Sequence, residues 1–163
     1  MNYPYFDGPC VLVYDAAASV ALGKEHWRRQ RSYNFVLSDR QHVHVPAGGL
    51  TDKGSIPMVL NNVVPRDGKF EQAYDMHDQL CEYLSLTVGG KPYTITRERC
   101  DSLLYVAMQV LGATDREIGK VRAGVDSYRI ASGVNLPTNT PVKRQLEANW
   151  EGSNDLCVHQ SVH

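Results

Sequence analysis

The chain has 163 residues, 42% of them hydrophobic and 21% charged, with a formal net charge of −1. That length fits one domain able to bury a core of its own, with room for an appendage. The near-neutral balance, with charges of both signs dispersed, excludes strong electrostatic steering, so no specific nucleic-acid binding is expected. No apolar run is long enough to span a bilayer, so no transmembrane segment is expected. The opening Met1 to Asp7 lacks the basic and apolar regions of a signal peptide. Folding is therefore expected in a reducing cytoplasm. Cys10, Cys81, Cys100 and Cys157 form no CxxC, which argues against a zinc ribbon or a thioredoxin-like motif. Cys81 and Cys100 fall on two helical patterns that can be neighbours, but without secretory features a disulfide between them is the less favoured expectation.

In chain order, Pro9 to Tyr14 reads as a short strand. Lys24 to Arg31 is polar and basic. Its cluster of Arg28, Arg29 and Arg31 beside Trp27 is expected to be a solvated strand edge rather than a phosphate contact. Tyr33 to Leu37 and His42 to Val45 alternate as strands do, joined by a turn over Ser38 to Gln41. Pro46 to Pro57 follows as the main loop, where three glycines and two prolines set a fixed backbone path. Ser55 is placed to cap a short helix over Pro57 to Val63, and Pro65 to Gly68 reads as a turn.

A helix is predicted from about Lys69 to Leu84, with Phe70, Ala73, Tyr74, His77, Leu80, Cys81 and Leu84 on one face. Val88 to Tyr93 is a turn or small hairpin. A second helix starts near Thr96 and runs to Leu111, with Cys100, Leu103, Leu104, Ala107 and Met108 inward and Asp101 at the edge of that face. Gly112 is a natural stop. Thr114 to Ala131 reads as a third helix, opened by Thr114, Asp115 and Glu117. The expected fold class is α+β: a small N-terminal antiparallel sheet, a Gly/Pro loop, two antiparallel helices, a third helix and an extended tail. Residues 1–135 form the domain. Residues 136–163 are polar, with Leu146, Trp150, Leu156 and Val158 as anchors, and are expected to dock on a partner or on another copy.

The residues able to carry chemistry gather on the first two helices. His77 lies in an apolar stripe, where a lone imidazole is costly to bury, and Asp101 can meet it from the next helix. Two readings stand. In one, Asp101 orients a catalytic base. In the other, the pair is a buried structural hydrogen bond, which periodicity alone favours. Asp78 points about 100° round the helix from His77, so it cannot serve the same ring, but it can hold a metal such as calcium. Such an ion needs further oxygen ligands, and the loop with Gly48, Gly49 and Gly54 can turn carbonyls toward it. Asp52 either bonds its own turn or joins the same cleft, and Ser55 lacks the context of a nucleophile. His42 and His44 share a strand face without a third zinc ligand at a recognisable spacing. His159 and His163 match a helical spacing by chance.

Val45 to Pro57, then Ala73 to Asp78, then Arg97 to Leu104 resemble three ordered motifs of DUF1353, a family of unknown function found in tailed phages and prophages. Those motifs read V-P-x-G-F-x-T-D-x-A-S-I-P, a His-Asp-x-x-Tyr helix and an Arg-x-x-x-Asp helix. The likeness covers roughly residues 33 to 130. Gly54 stands where alanine is usual, and Cys81, followed by Glu82 and Tyr83, stands where a tyrosine is common. The resemblance implies a phage protein made in the host cytoplasm, with incorporation into the virion an option, and assigns no activity. More locally, His77-Asp78, Cys81, Tyr83 and Cys100-Asp101 resemble the core of the phospholipase A2 superfamily. That likeness implies His77 as base, Asp101 as its orienter, Asp78 as a calcium ligand and the glycine loop as donor of carbonyls. The usual calcium loop and the dense disulfide set of that superfamily are missing. Two functions are expected to compete: a hydrolase acting on a lipid, another ester or a cell-envelope polymer in phage entry or lysis, and a non-catalytic virion component of the tail or neck.

Overall fold

A computed structural model describes residues 2–53 and 68–151. Within them the order is β1 (Tyr5–Phe6), β2 (Leu12–Tyr14), α1 (Ala16–Leu22), β3 (Trp27–Arg29), β4 (Tyr33–Ser38), β5 (Gln41–Val45), β6 (Leu50–Thr51), α2 (Glu71–Tyr83), β7 (Ser85–Val88), β8 (Lys91–Thr94), α3 (Arg97–Val110), α4 (Asp115–Ser132) and α5 (Pro141–Ala148). The fold is α+β, as expected. The strands form two antiparallel sheets, one in the order β1-β4-β5-β7-β8 and one in the order β2-β3-β6.

Alternation builds the core. Tyr33, Phe35, Val43 and Val45 point inward from β4 and β5, while His44 faces out. Against them lies α2, whose Ala73, Tyr74, Met76, Leu80 and Cys81 are buried with the Cys100, Leu103, Leu104, Ala107 and Met108 face of α3. Val121 and Val125 attach α4 to this cluster. The helix starts follow capping chemistry. The Thr96 hydroxyl accepts from the Arg99 N–H at 3.1 Å, and Thr114 and Glu117 close a reciprocal capping box. Helix α2 ends where Leu84 takes a left-handed φ of 48°.

Three parts differ from the sequence reading. Helix α1 is additional, capped by the Asp15 carboxylate on the Ala18 N–H at 2.9 Å and closed by Gly23 at φ 70°. The basic stretch is not a solvated edge, because β3 is the central strand of the small sheet. Arg28 and Arg29 are buried, and Arg28 pairs with Asp15 while Arg29 pairs with Asp75. Asp101 is fully buried rather than at the edge of its face. Residues 54–67, with Gly54, Ser55, the expected short helix and most of the turn before Gly68, lie outside the described residues.

The described part of the tail folds back on its own chain. The Thr138 and Asn139 N–H groups donate to the Cys81 and Glu82 carbonyls, at 3.1 and 3.3 Å, which satisfies the open end of α2. Lys143 pairs with Glu82, and Arg28 Nη1 donates to the Leu146 carbonyl at 3.0 Å. The Trp150 ring lies over Gly48, where a Cβ would come within 2.6 Å of it. Residues 152–163, with Leu156, Val158, His159 and His163, lie outside the described residues.

The small sheet is joined to α2 by one buried ion pair. Arg29 Nε donates to Asp75 Oδ1 and Oδ2 at 2.7 and 2.8 Å, and Tyr33 Oη donates to Oδ2 at 2.8 Å. Arg29 Nη1 reaches Gln79 Oε1 at 3.2 Å. Removing one partner strands the other charge, which costs about 3–5 kcal/mol. Asp75→Asn is therefore expected to lower stability by about that amount in urea unfolding. Arg29→Met combined with Asp75→Leu should lose less than the single change.

Candidate functional site

Strand pairing and helix phase bring the sequence-predicted residues together. Strand β6 pairs with β3 through Trp27–Thr51 and Arg28–Leu50, which delivers Thr51 and Asp52 to the side of α2. Two turns into α2, His77 and Asp78 meet them. Asp52, His77 and Asp78 line one cavity of about 290 Å³ together with Cys81, Glu82 and Arg97. The C-terminal segment adds Thr138, Thr140 and Lys143 as a wall.

The expected pair forms. His77 Nε2 lies 2.7 Å from Asp101 Oδ1. The carboxylate has two further partners: Arg129 Nη1 donates to Oδ2 at 2.6 Å, and Arg97 Nε approaches Oδ1 at 3.4 Å. Burial alone would raise the Asp101 pKa, but His77, Arg129 and Arg97 outweigh it and hold the carboxyl below its usual range. For His77, burial acts downward, and the Cys81 sulfur and Asp101 act upward, leaving the imidazole raised to about 9. Cys81 is itself pushed well above the ordinary thiol range by its hydrogen bond with Cys100 and by burial. Asp101, held ionised, is a charge that helps sustain the imidazolium. Cys81 and Cys100 are both free thiols.

Cys81 Sγ also lies 3.4 Å from His77 Nε2. A thiol relay needs the nucleophile and the orienting acid on opposite ring nitrogens. Here both share Nε2, so Cys81 is not an activated nucleophile. His77 Nδ1 makes no hydrogen bond among the described residues, and the residue lines the cavity.

Asp78 accepts from Thr51 Oγ1 at 2.6 Å. Burial, then the neighbouring Asp52 charge, raise its pKa well above the carboxylate range, so it favours the neutral acid. Asp52 pairs with Lys24. The described carbonyls of the glycine loop are already engaged. The Gly48 carbonyl accepts from Arg28 Nη1 at 2.8 Å and the Gly49 carbonyl from the Arg29 N–H at 2.9 Å, so neither is free to face an ion. Gly49 is glycine for a different reason: a Cβ there would fall 1.9 Å from Arg29 Nη1. Among the described residues, the one cluster of three candidate metal ligands is His77, Cys81 and Asp101, where Arg97 and Arg129 already neutralise the carboxylate. His42 and His44 acquire no third ligand among the described residues, and His44 Nδ1 instead lies 2.9 Å from Asn34 Oδ1.

Arg97, Arg129 and Lys143 are the site residues that sequence reading left without a role. Arg97 and Asp101 stand four apart on one helix, a spacing visible in the sequence. Arg129 and Lys143 reach the site only through the packing of α4 and α5, which no local pattern announces.

A family model described as "Protein of unknown function (DUF1353)" matches residues 21–120. The match takes in Asp52, His77, Asp78, Arg97 and Asp101, and ends before Arg129 and α5. No curated protein and no solved structure matches the chain.

The raised His77 pKa ties stability to pH. The folded state holds this proton more tightly than the unfolded chain does. The contribution is therefore fully present below about pH 6.5 and lost as pH rises through about 9. Stability measured by urea unfolding between pH 6 and 10 should fall, with a His77-dependent part of about 3 kcal/mol. His77→Gln should flatten that part of the curve.

Proposed function

The chain belongs to the DUF1353 family, and we propose that it uses His77 and Asp101 as a hydrolase-like proton-transfer dyad on a substrate held in the cavity. The observation that carries this reading is the division of labour between the ring nitrogens. Nε2 is fixed by Asp101 at 2.7 Å, while Nδ1 belongs to a ring that lines the cavity. Asp101 thus sets the tautomer and orientation and stabilises the charged ring. Below about pH 9 the ring is protonated and can give its Nδ1 proton to a leaving group. Toward pH 9 the neutral ring gains population and can draw a proton from water at Nδ1. No step runs through calcium. The resemblance set out above supports a lipid, another ester or a cell-envelope polymer as substrate, in phage entry or lysis.

A second reading, a non-catalytic virion component of the tail or neck, draws support from the triple engagement of Asp101. A carboxylate shared by His77 of α2, Arg97 of its own α3 and Arg129 of α4 works as a clasp between helices. Docking on other virion proteins or on another copy through the tail belongs to this second reading.

Chromogenic esters separate the two. On the hydrolase reading, His77→Gln lowers kcat/KM by about 10²–10⁴, and the native pH profile rises toward about pH 9. Unchanged turnover in a folded His77→Gln protein would sink the dyad. On the structural reading no turnover is seen, and the substitution costs about 1–3 kcal/mol in a melt because Asp101 loses a partner.

A further inference from the structure

Two cations stand side by side at the floor of the cavity. His77 Nε2 and Arg97 Nε approach the same oxygen, Asp101 Oδ1, at 2.7 and 3.4 Å. The second oxygen of that carboxylate is taken by Arg129, which also meets Asp126 at 3.1 Å. Three cations therefore share two carboxylates. The other acids of the cavity do not correct the imbalance. Asp52 pairs with Lys24 and Glu82 with Lys143, and burial favours the neutral form of Asp78.

Arg97 is poorly satisfied as a purely structural residue. It is 8% exposed and lines the cavity. Among the described residues only its Nε has a partner, and that contact is long. Both terminal nitrogens, the fork that normally grips an oxyanion in bidentate fashion, are without one. Arg97 is also the first residue of α3, preceded by its Thr96 cap. The helix macrodipole disfavours a cation at that end and favours an anion. A buried guanidinium with a free fork, beside an imidazole with a free Nδ1, is left waiting for negative charge.

We propose that the cavity binds an oxyanion of its substrate, phosphate or carboxylate, between the Arg97 guanidinium and His77 Nδ1. The assignment rests on the reading that His77 faces substrate, and it adds the chemical class: the substrate carries an anionic group close to the bond or atom that His77 serves. Arg97 is then a substrate-binding residue, and its charge also stabilises negative charge developing nearby.

Inorganic phosphate and acetate, titrated separately at pH 7 and constant ionic strength into the 15N-labelled native protein, test the site. The expected result is a saturable shift of both the His77 ring nitrogens and the Arg97 Nε–H with at least one anion; whichever saturates at lower concentration names the source. Arg97→Gln should weaken that binding at least about tenfold, roughly the contribution of one charge-assisted hydrogen bond, and Arg97→Lys should retain part of it. Absence of a saturable shift at these two residues with either anion overturns the proposal. So does a folded Arg97→Gln protein that binds as tightly as the native one. The outcomes are distinct from those of the hydrolase test. Phosphate or acetate binding without ester turnover removes the catalytic reading alone, and His77-dependent turnover without anion binding removes the anion site alone.

Discussion

The buried pairing of Arg29 with Asp75 is the contact on which the arrangement of the site depends. It crosses from the central strand of the small sheet to the first turns of α2, and both side chains are almost wholly removed from water. Such a pair is not an efficient source of stability, because the desolvation of two ions offsets most of their attraction. Its value is geometric. A guanidinium that bonds two carboxylate oxygens at 2.7 and 2.8 Å tolerates little rotation or sliding of one element past the other. Strand β6 travels with β3, so the same contact determines where Thr51 and Asp52 fall relative to Asp78. Gly49 belongs to this constraint, since any side chain there would collide with the arginine.

Two buried aspartates on neighbouring helices illustrate opposite uses of a carboxylate. Asp75 faces Arg29, Tyr33 and Cys10, groups belonging to sheets and loops, and its surroundings are closed. Asp101 faces His77, Arg97 and Arg129, and two of those three partners open onto a cavity. The first aspartate balances a single arginine. The second is outnumbered by the cations around it, and that surplus lies against the cavity rather than inside a closed core.

Much of this was legible in the sequence where a pattern is local. The helical faces of α2 and α3, the Thr96 and Thr114 starts and the β4–β5 hairpin follow from periodicity and capping, and His77 meets Asp101 because both occupy the facing stripes of adjacent helices. Sequence reading went astray where a long-range partner decided the outcome. Arg28 and Arg29 look like surface residues because a run of basic side chains normally stays wet. Only Asp15 and Asp75, one strand and one helix away, make their burial affordable. Helix α1 has only seven residues, too few for a periodic signal, although Asp15 and Gly23 bracket it. Arg129 and the segment from Val134 to Trp150 reach the site through tertiary packing alone.

That last segment has a consequence for how the protein is divided. The family match ends at residue 120, yet the cavity draws Val125 and Tyr128 from α4 and Val134, Thr138, Thr140 and Lys143 from beyond it. The last carbonyls of α2 are likewise capped from outside the matched region, by Thr138 and Asn139. The cavity thus extends past the matched region, with the motifs inside the match forming one half of it and residues after position 120 the other. Relatives that keep the His-Asp and Arg-x-x-x-Asp helices but differ after α3 would present the same polar floor beneath different walls. The wall of such a cavity can differ in shape and charge without any change in the groups at its base.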